Sequence, residues 1–130
     1  MRAQRAALQA IRGDLKAAKL PPLEWYDALL ELERAGPAGL RPLQLEDRLL
    51  LEQHNVSRLL DRLATAGLVE RRPCPQDKRG QVVVITAAGA ALRAAMWPTY
   101  RAAIARHVGA PLGDDAAAAQ LAALLDRMLD

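Results

Sequence analysis

The stretch that decides the fold is residues 56–86, VSRLLDRLATAGLVERRPCPQDKRGQVVVIT. Apolar residues spaced i, i+3, i+4 and i+7 share one face of an α-helix, and four of them begin the stretch: Val56, Leu59, Leu60 and Leu63. The opposite face is polar and mostly cationic: His54, Asn55, Arg58, Asp61, Arg62 and Thr65. Gly67 is the residue type that commonly ends a helix, so the helix is predicted to end near Ala66. We therefore predict a helix with one face for a core and one face free for a partner.

Two short strands are predicted after this helix. Residues 68–72 and 81–85 are rich in side chains that favour extended structure. Residues 73–80 contain two prolines and a glycine, which predict a loop rather than a strand interior. The segment is thus typical of a helix followed by a β-hairpin.

Cationic side chains cluster around the predicted hairpin tip: Arg71, Arg72, Lys78 and Arg79. Such a cluster suits phosphate oxygens, which arginine can also bind in a bidentate way. Asp77 is predicted to orient the neighbouring arginine and not to contact DNA. A solvated charged turn is the alternative interpretation. The helix with two distinct faces directly before the hairpin favours DNA binding.

The net charge of +3 is unevenly distributed. Lys and Arg outnumber Asp and Glu by five to one in residues 1–20 and by six to three in residues 53–82, whereas acids prevail by seven to three in residues 21–52. A positive field is therefore expected where a phosphate backbone would lie. A membrane surface is the rival partner, but the basic face is polar and no segment is long enough to span a bilayer. Since no signal peptide is recognisable either, we expect a cytoplasmic protein.

The flanking segments predict further helices. An apolar stripe (Ala7, Leu8, Ile11, Leu15 and Ala18) predicts a first helix that stops before Pro21, and residues 23–35 predict a second. Residues 87–106 form an alanine-rich helix that Pro98 either kinks or divides. A final helix carries a stripe of its own: Leu121, Leu124, Leu125, Met128 and Leu129. These terminal stripes have little of their own domain to cover, so a second copy of the chain is their expected partner; packing onto their own domain is the alternative.

Five short motifs in order resemble the MarR family of bacterial transcription regulators over residues 40–92: Ser57-Arg58-Leu59, Asp61-Arg62-Leu63, Gly67-Leu68-Val69-Glu70-Arg71, Asp77-Lys78-Arg79 and Ile85-Thr86-Ala87-Ala88-Gly89. The chain departs from the family pattern just before these motifs. Glu46 replaces a small residue, Leu50 replaces a turn glycine, and Glu52 replaces a Ser or Thr helix cap. Leu50 in the turn predicts a longer and differently bent connection before the recognition helix.

The resemblance implies a mainly α fold with a small β-hairpin wing. A winged helix-turn-helix core would occupy residues 23–92 of a single domain, 1–130, with dimerisation helices at 3–19, 87–107 and 115–129. It implies a homodimer that binds a pseudo-palindromic operator in double-stranded DNA and represses. The recognition-helix residues are Gln53, His54, Asn55, Ser57, Arg58 and Arg62, of which Arg62 is expected on phosphate. The wing residues are Arg71, Arg72, Asp77, Lys78 and Arg79.

Regulators of this family often respond to small apolar or phenolic compounds. Large side chains that suit such a pocket are Trp25, Tyr26, Met96, Trp97, Tyr100 and His107. Side chains of this kind at helical spacing more often belong to a core, and that alternative stays open.

Other function classes have less support in the sequence. No catalytic arrangement, metal-ligand spacing or phosphate-binding glycine loop is present, so we expect no enzyme, metal or cofactor. A winged helix can also bind another protein and hold DNA only weakly and without sequence preference. Cys74, the one cysteine, lies among cations that favour a reactive thiolate. It is therefore either an oxidation sensor or an incidental loop residue.

Overall fold

The computed structural model describes residues 2–49, 55–74 and 77–109. The elements in chain order are α1 (Arg2–Ala17), α2 (Leu23–Ala35), a 3₁₀ turn (Gly36–Ala38), α3 (Pro42–Arg48), α4 (Val56–Thr65), β1 (Val69–Cys74), β2 (Asp77–Ile85), α5 (Ala87–Ile104) and a π turn (Ala105–Gly109). This order confirms the predicted mainly α fold with one antiparallel hairpin.

The chain divides into two compact units, Leu23–Ala95 and the pair Met1–Pro22 with Met96–Asp130. The first unit contains α2 to β2 and the start of α5, and its core is a single apolar cluster. The cluster consists of Ala28, Leu29, Leu32, Leu40, Leu45, Val56, Leu59, Leu60, Leu63, Leu68, Val69 and Val83. The predicted stripe of α4 is thereby confirmed, because all four of its apolar side chains are buried in this cluster.

Both ends of α4 are fixed by local hydrogen bonds. At its start, Asn55 Oδ1 accepts from the backbone N–H of Arg58 at 2.9 Å. At its end Gly67 has φ +76°, and the N–H groups of Gly67 and Leu68 donate to Ala64 O at 3.0 Å and Leu63 O at 2.9 Å. This pair of bonds is the Schellman arrangement that satisfies the last helical carbonyls. The predicted end near Ala66 is therefore confirmed.

The hairpin is longer than predicted. Residues 73–80 were expected to form a loop, but β1 extends to Cys74 and β2 begins at Asp77. Pro73 is tolerated because a two-stranded sheet consists of edge strands, where a missing N–H costs little. The register also shifts between Pro73 and Cys74. Composition was therefore misleading here, and Pro73 lies next to an irregularity at the end of β1.

Leu40 forms an isolated antiparallel β-bridge with Val83 of β2. The N–H of Leu40 donates to Val83 O at 3.0 Å, and the N–H of Val83 donates back to Leu40 O at 2.8 Å. The segment before α3 is thus tied to the hairpin by paired backbone bonds, which stabilise the base of the wing.

The Thr-Ala-Ala-Gly motif joins the hairpin to α5. Thr86 Oγ1 accepts from the N–H of Gly89 at 3.0 Å and donates to Gly67 O at 2.7 Å. A side chain on Gly89 would overlap the carbonyl oxygen of Leu68. The motif therefore caps α5 and allows its first turn to approach the end of α4 closely.

The second unit contains α1 and the remainder of α5. Helix α1 is confirmed with Ile11 and Leu15 buried, although Ala18 lies beyond its end and is exposed. Pro98 neither ends nor divides α5, which is helical to Ile104. The predicted final helix at 115–129 lies outside the described residues. No helix in the described ranges is long and apolar enough to cross a bilayer.

Candidate nucleic-acid interface

The outward face of α4 carries the polar side chains that the sequence placed there. The side chains of this face are exposed: Asn55, Ser57, Arg58, Asp61, Arg62 and Thr65. The opposite, apolar face of α4 packs in the core, so the position of its exposed face is fixed. Gln53 and His54, also predicted to contact bases, lie outside the described residues, and their role stays a prediction.

The cap of α4 is Asn55, whereas the family pattern has a Ser or Thr cap at the position of Glu52. Asn55 Oδ1 accepts the Arg58 N–H, so this oxygen helps to define where α4 begins. The cap uses the amide oxygen of Asn55, which has two lone pairs, and does not use its two amide hydrogens. A contact between Asn55 and a base therefore stays a prediction that is compatible with capping.

Arg58 and Arg62 are the cations of α4, and both are exposed. Neither forms an ion pair or side-chain hydrogen bond with any residue that the structure describes. They lie on the same helix as Ser57 and can extend towards a ligand without breaking a contact to any described residue. Exposed guanidinium groups of this kind suit a polyanion.

Two arginines of β1 have partners within the protein. Arg71 Nη1 lies 2.7 Å from Asp61 Oδ1, and Nη2 donates to Ser57 O at 3.4 Å. Arg72 Nη2 lies 2.8 Å from Glu70 Oε2 in an exposed pair. Sequence reasoning placed all wing cations on DNA and missed the Arg71 contacts, because residues 61 and 71 belong to different elements. Asp77, Lys78 and Arg79 have their backbone in β2, and their side chains lie outside what the structure describes.

Arg41, which the sequence did not single out, lies at the start of α3. Its N–H donates to Gln44 Oε1 at 2.9 Å, and its Nη2 donates to Cys74 Sγ at 3.1 Å. Cys74 is 6% exposed and ends β1, so the interpretation of a loop cysteine is wrong. Thirty-three positions separate the two residues, and no spacing signal in the sequence connects them.

The side chains predicted for an effector pocket are divided between the two units. Trp25 and Tyr26 belong to one, and Met96, Trp97, Tyr100 and His107 to the other. Tyr26, Met96 and Tyr100 are buried, and burial raises the pKa of the Tyr26 phenol. The rings of Trp97 and Tyr100 meet edge to face at 6.0 Å.

His107 is committed to a polar contact. Its Nε2 lies 3.0 Å from Asp14 Oδ2, which also pairs with Arg106 at 3.4 Å. A groove beside this cluster is lined by Asp14, Ala17, Ala18, Pro98, Thr99, Ala102, Ala103 and Arg106. None of the six predicted pocket residues lines that groove, and the pocket stays a prediction.

No group of three or more metal-ligating side chains occurs among the residues that the structure describes. The most buried acids are Asp27 and Glu31 on α2, and burial raises the pKa of the Glu31 carboxyl although Arg34 lies 3.4 Å away. Both acids are buried on α2, and neither belongs to the exposed face of α4. They contribute to the scaffold.

Comparison with known proteins agrees with this arrangement. A family model described as MarR family matches residues 19–80. The multiple antibiotic resistance protein MarR of Escherichia coli (strain K12) is 44% identical over 55 residues, which cover 42% of this chain and 38% of that protein. The match thus spans less than half the length of the curated relatives.

Solved structures extend the likeness along the chain. Wild-type MarR from E. coli in its apo form has a TM-score of 0.76 at 26% identity, covering 99% of this chain and 92% of that one. A MarR family transcriptional regulator from Streptomyces coelicolor, solved in complex with DNA, also has a TM-score of 0.76; its 22% identity over 99% of this chain and 85% of that one shows a shared fold. The ordered motifs, the winged helix-turn-helix architecture and these comparisons agree: the chain is similar to MarR family regulators, over residues 19–80 by the family model and over nearly its whole length by fold.

Proposed function

We propose that this protein is a sequence-specific DNA-binding transcription regulator that represses as a homodimer. The observation that carries the proposal is the exposed face of α4, where Arg58 and Arg62 have no partner among the described residues. The opposite face of the same helix is buried, so the cations are displayed on a rigid support. An arrangement of this kind suits the negative charge and the groove of a duplex.

On DNA, the start of α4 enters the major groove. Gln53, His54, Asn55, Ser57 and Arg58 are proposed to reach base edges, since amides match adenine and a guanidinium matches guanine. Arg62, one turn further along, is proposed to contact phosphate. The hairpin would then extend Lys78 and Arg79 towards a neighbouring minor groove, where a narrow A·T tract concentrates negative potential.

A homodimer gives this interface its second half. Two recognition helices related by a two-fold axis read half-sites about 34 Å apart, one helical turn of DNA. The support for a dimer is similarity to the MarR family, together with the apolar stripe near the C-terminus of the sequence (Leu121, Leu124, Leu125, Met128 and Leu129). Such a dimer, bound over promoter sequence in the cytoplasm, blocks transcription.

Release by a small apolar or phenolic effector completes the proposal. Trp25 and Trp97 are the partly exposed aromatic side chains of the predicted pocket set, which gives them room to contact a ligand. Intrinsic tryptophan fluorescence, titrated with a panel of phenolic acids, tests this step. A ligand that changes the fluorescence must also weaken operator binding; a change in fluorescence alone contradicts release.

The experiment that tests DNA recognition is footprinting of the purified protein upstream of its own gene. A protected pseudo-palindrome should bind several-hundred-fold more tightly than random duplex, with an affinity that falls steeply as salt is added. Weak binding without sequence preference contradicts the regulator and favours the winged-helix module that binds another protein. The Arg58→Ala variant should lose part of this preference, because it removes one proposed base contact and leaves the core intact.

A further inference from the structure

Arg71 joins the hairpin to the recognition helix. Its guanidinium pairs with Asp61 Oδ1 at 2.7 Å through Nη1, and donates to the backbone oxygen of Ser57 at 3.4 Å through Nη2. Ser57 and Asp61 are four positions apart, so they lie one above the other on the exposed face of α4. A single side chain of β1 therefore spans one turn of the helix that we propose enters the groove.

The adjacent arginine has a different environment. Successive side chains of a strand point to opposite faces, so Arg72 shares a face with Glu70 and not with Arg71. Arg72 pairs with Glu70 at 2.8 Å, and their side chains are 57% and 56% exposed. Arg71 is 31% exposed. Arg71 thus links two elements, whereas Arg72 has its partner on its own strand.

We propose that Arg71 is a positioning residue that holds the hairpin in register with α4 through Asp61, and that it does not contact DNA. The inference rests on the proposed function. A phosphate contact would require this guanidinium to leave both Asp61 and Ser57. With the pair intact, the recognition helix and the wing form one surface with a fixed separation.

Asp61 gives this proposal a distinctive electrostatic signature. Its carboxylate is 59% exposed on the face that we propose meets DNA, where it repels phosphate. If Asp61 had no positioning role, its removal would strengthen DNA binding. If it anchors Arg71, its removal must weaken binding. The two interpretations therefore predict opposite signs for the same substitution.

Operator affinity of four variants tests the pairing: Arg71→Ala, Asp61→Ala, both together, and the exchange of Arg71→Asp with Asp61→Arg. We expect each single change to weaken binding about threefold to tenfold, and the double change to be no worse than the single ones, as for residues that act as a pair. The exchanged pair should recover part of the loss. The slope of log affinity against log salt should be unchanged in Arg71→Ala.

Tighter binding by Asp61→Ala, or a salt slope reduced by about 1 in Arg71→Ala, would overturn the proposal and make Arg71 a phosphate contact. Arg72→Ala, which removes a β1 arginine that pairs on its own strand, serves as the control for hydrogen exchange and not for affinity, because Arg72 belongs to the predicted DNA-binding wing. The pair is on the surface, so all variants should remain folded.

A second measurement on the free protein separates this inference from the proposed function. Hydrogen exchange of the hairpin amides should be faster in Arg71→Ala and in Asp61→Ala by the same factor, and unchanged in Arg72→Ala. If the wild type binds no operator, the proposed function is wrong, and exchange still tests the coupling. Equal exchange rates in all four proteins would refute it.

Discussion

Asn55 has two roles that substitution can separate. In the free protein its Oδ1 accepts the Arg58 N–H at 2.9 Å and caps α4; on DNA we predict that its amide bonds a base edge. Aspartate in its place keeps the accepting oxygen and adds a charge that suits the positive end of a helix. It lacks the amide hydrogens that adenine requires. Alanine removes both functions.

The size of each effect follows from these contacts. Asn55→Ala should lose about 1 kcal/mol of unfolding free energy, the usual value of an N-cap, which lowers Tm by about 4 °C. Asn55→Asp should stay within about 0.5 kcal/mol of the wild type, since a carboxylate caps as well as an amide. Operator binding should fall about 5-fold to 150-fold in both, which corresponds to a lost bidentate base contact. The aspartate variant should be the weaker binder because its charge repels phosphate.

Thermal melts followed by circular dichroism measure the first effect, and fluorescence anisotropy with operator and random duplexes measures the second. Thr65→Ala is the control, since Thr65 is exposed at the other end of α4. If Asn55→Asp bound the operator as tightly as the wild type, Asn55 would not be a base contact. An unchanged Tm in Asn55→Ala would refute the cap.

Three further predictions concern the interface and its scaffold. Arg58→Ala should cost about 1–3 kcal/mol of operator binding and relax the preference at one base pair. Arg62→Ala should weaken binding to operator and random DNA alike, and it should reduce the slope of log affinity against log salt by about 1. Titrations against point-substituted operators at several salt concentrations distinguish the two variants, and identical behaviour would contradict the assignment. Gly89→Ala forces a methyl group against a backbone carbonyl and should destabilise by about 2 kcal/mol, while Gly13→Ala, whose added carbon meets nothing within 4 Å, should not lower Tm. Burial raises the pKa of Glu31, so the folded protein keeps this proton to higher pH than the unfolded chain, and stability falls as pH rises from the ordinary carboxyl pKa to the raised one. Glu31→Gln should therefore melt at a higher temperature than the wild type at neutral pH and at the same temperature below the ordinary carboxyl pKa; the same difference at both pH values would contradict this.

The recognition helix was predictable because its signals are local. The apolar stripe, the polar opposite face and the glycine stop all lie within residues 55–67, and each acts through contacts a few positions apart. The Schellman bonds of Gly67 and Leu68 and the buried stripe follow from that pattern directly. The motif at residues 85–89 was equally visible, since the cap at Thr86 and the close approach at Gly89 depend on two residue types in a short span.

The wing was less predictable because its contacts are distant in sequence. Leu40 forms a β-bridge with Val83, which is distant in the sequence, and a single leucine before Arg41 does not predict a strand. Composition identified the cations of the hairpin but not their partners, so Arg71 and Arg72 could not be told apart. The three-dimensional approach of α4 to β1 decides that, of these two arginines, Arg71 is the one that pairs with Asp61. The length of the strands was underestimated for a related reason, since Pro73 predicts a loop unless the strand is known to lie at an edge.

Cys74 shows how this difference affects a functional hypothesis. Its cationic neighbours in the sequence favour a reactive thiolate, but its side chain is buried and Sγ accepts a hydrogen bond from Arg41 Nη2 at 3.1 Å. Reactivity requires access as well as the thiolate form, so an oxidant or a thiol reagent must wait for the end of the hairpin to open. We expect labelling by Ellman's reagent to be about 100-fold slower in the native protein than in the denatured chain, and to accelerate in mild denaturant as local opening becomes more frequent. The chain has one cysteine, so the absorbance change reports this thiol alone. Peroxide should leave operator affinity unchanged; native labelling as fast as denatured labelling, together with a peroxide-dependent loss of affinity, would show that Cys74 is an oxidation sensor after all.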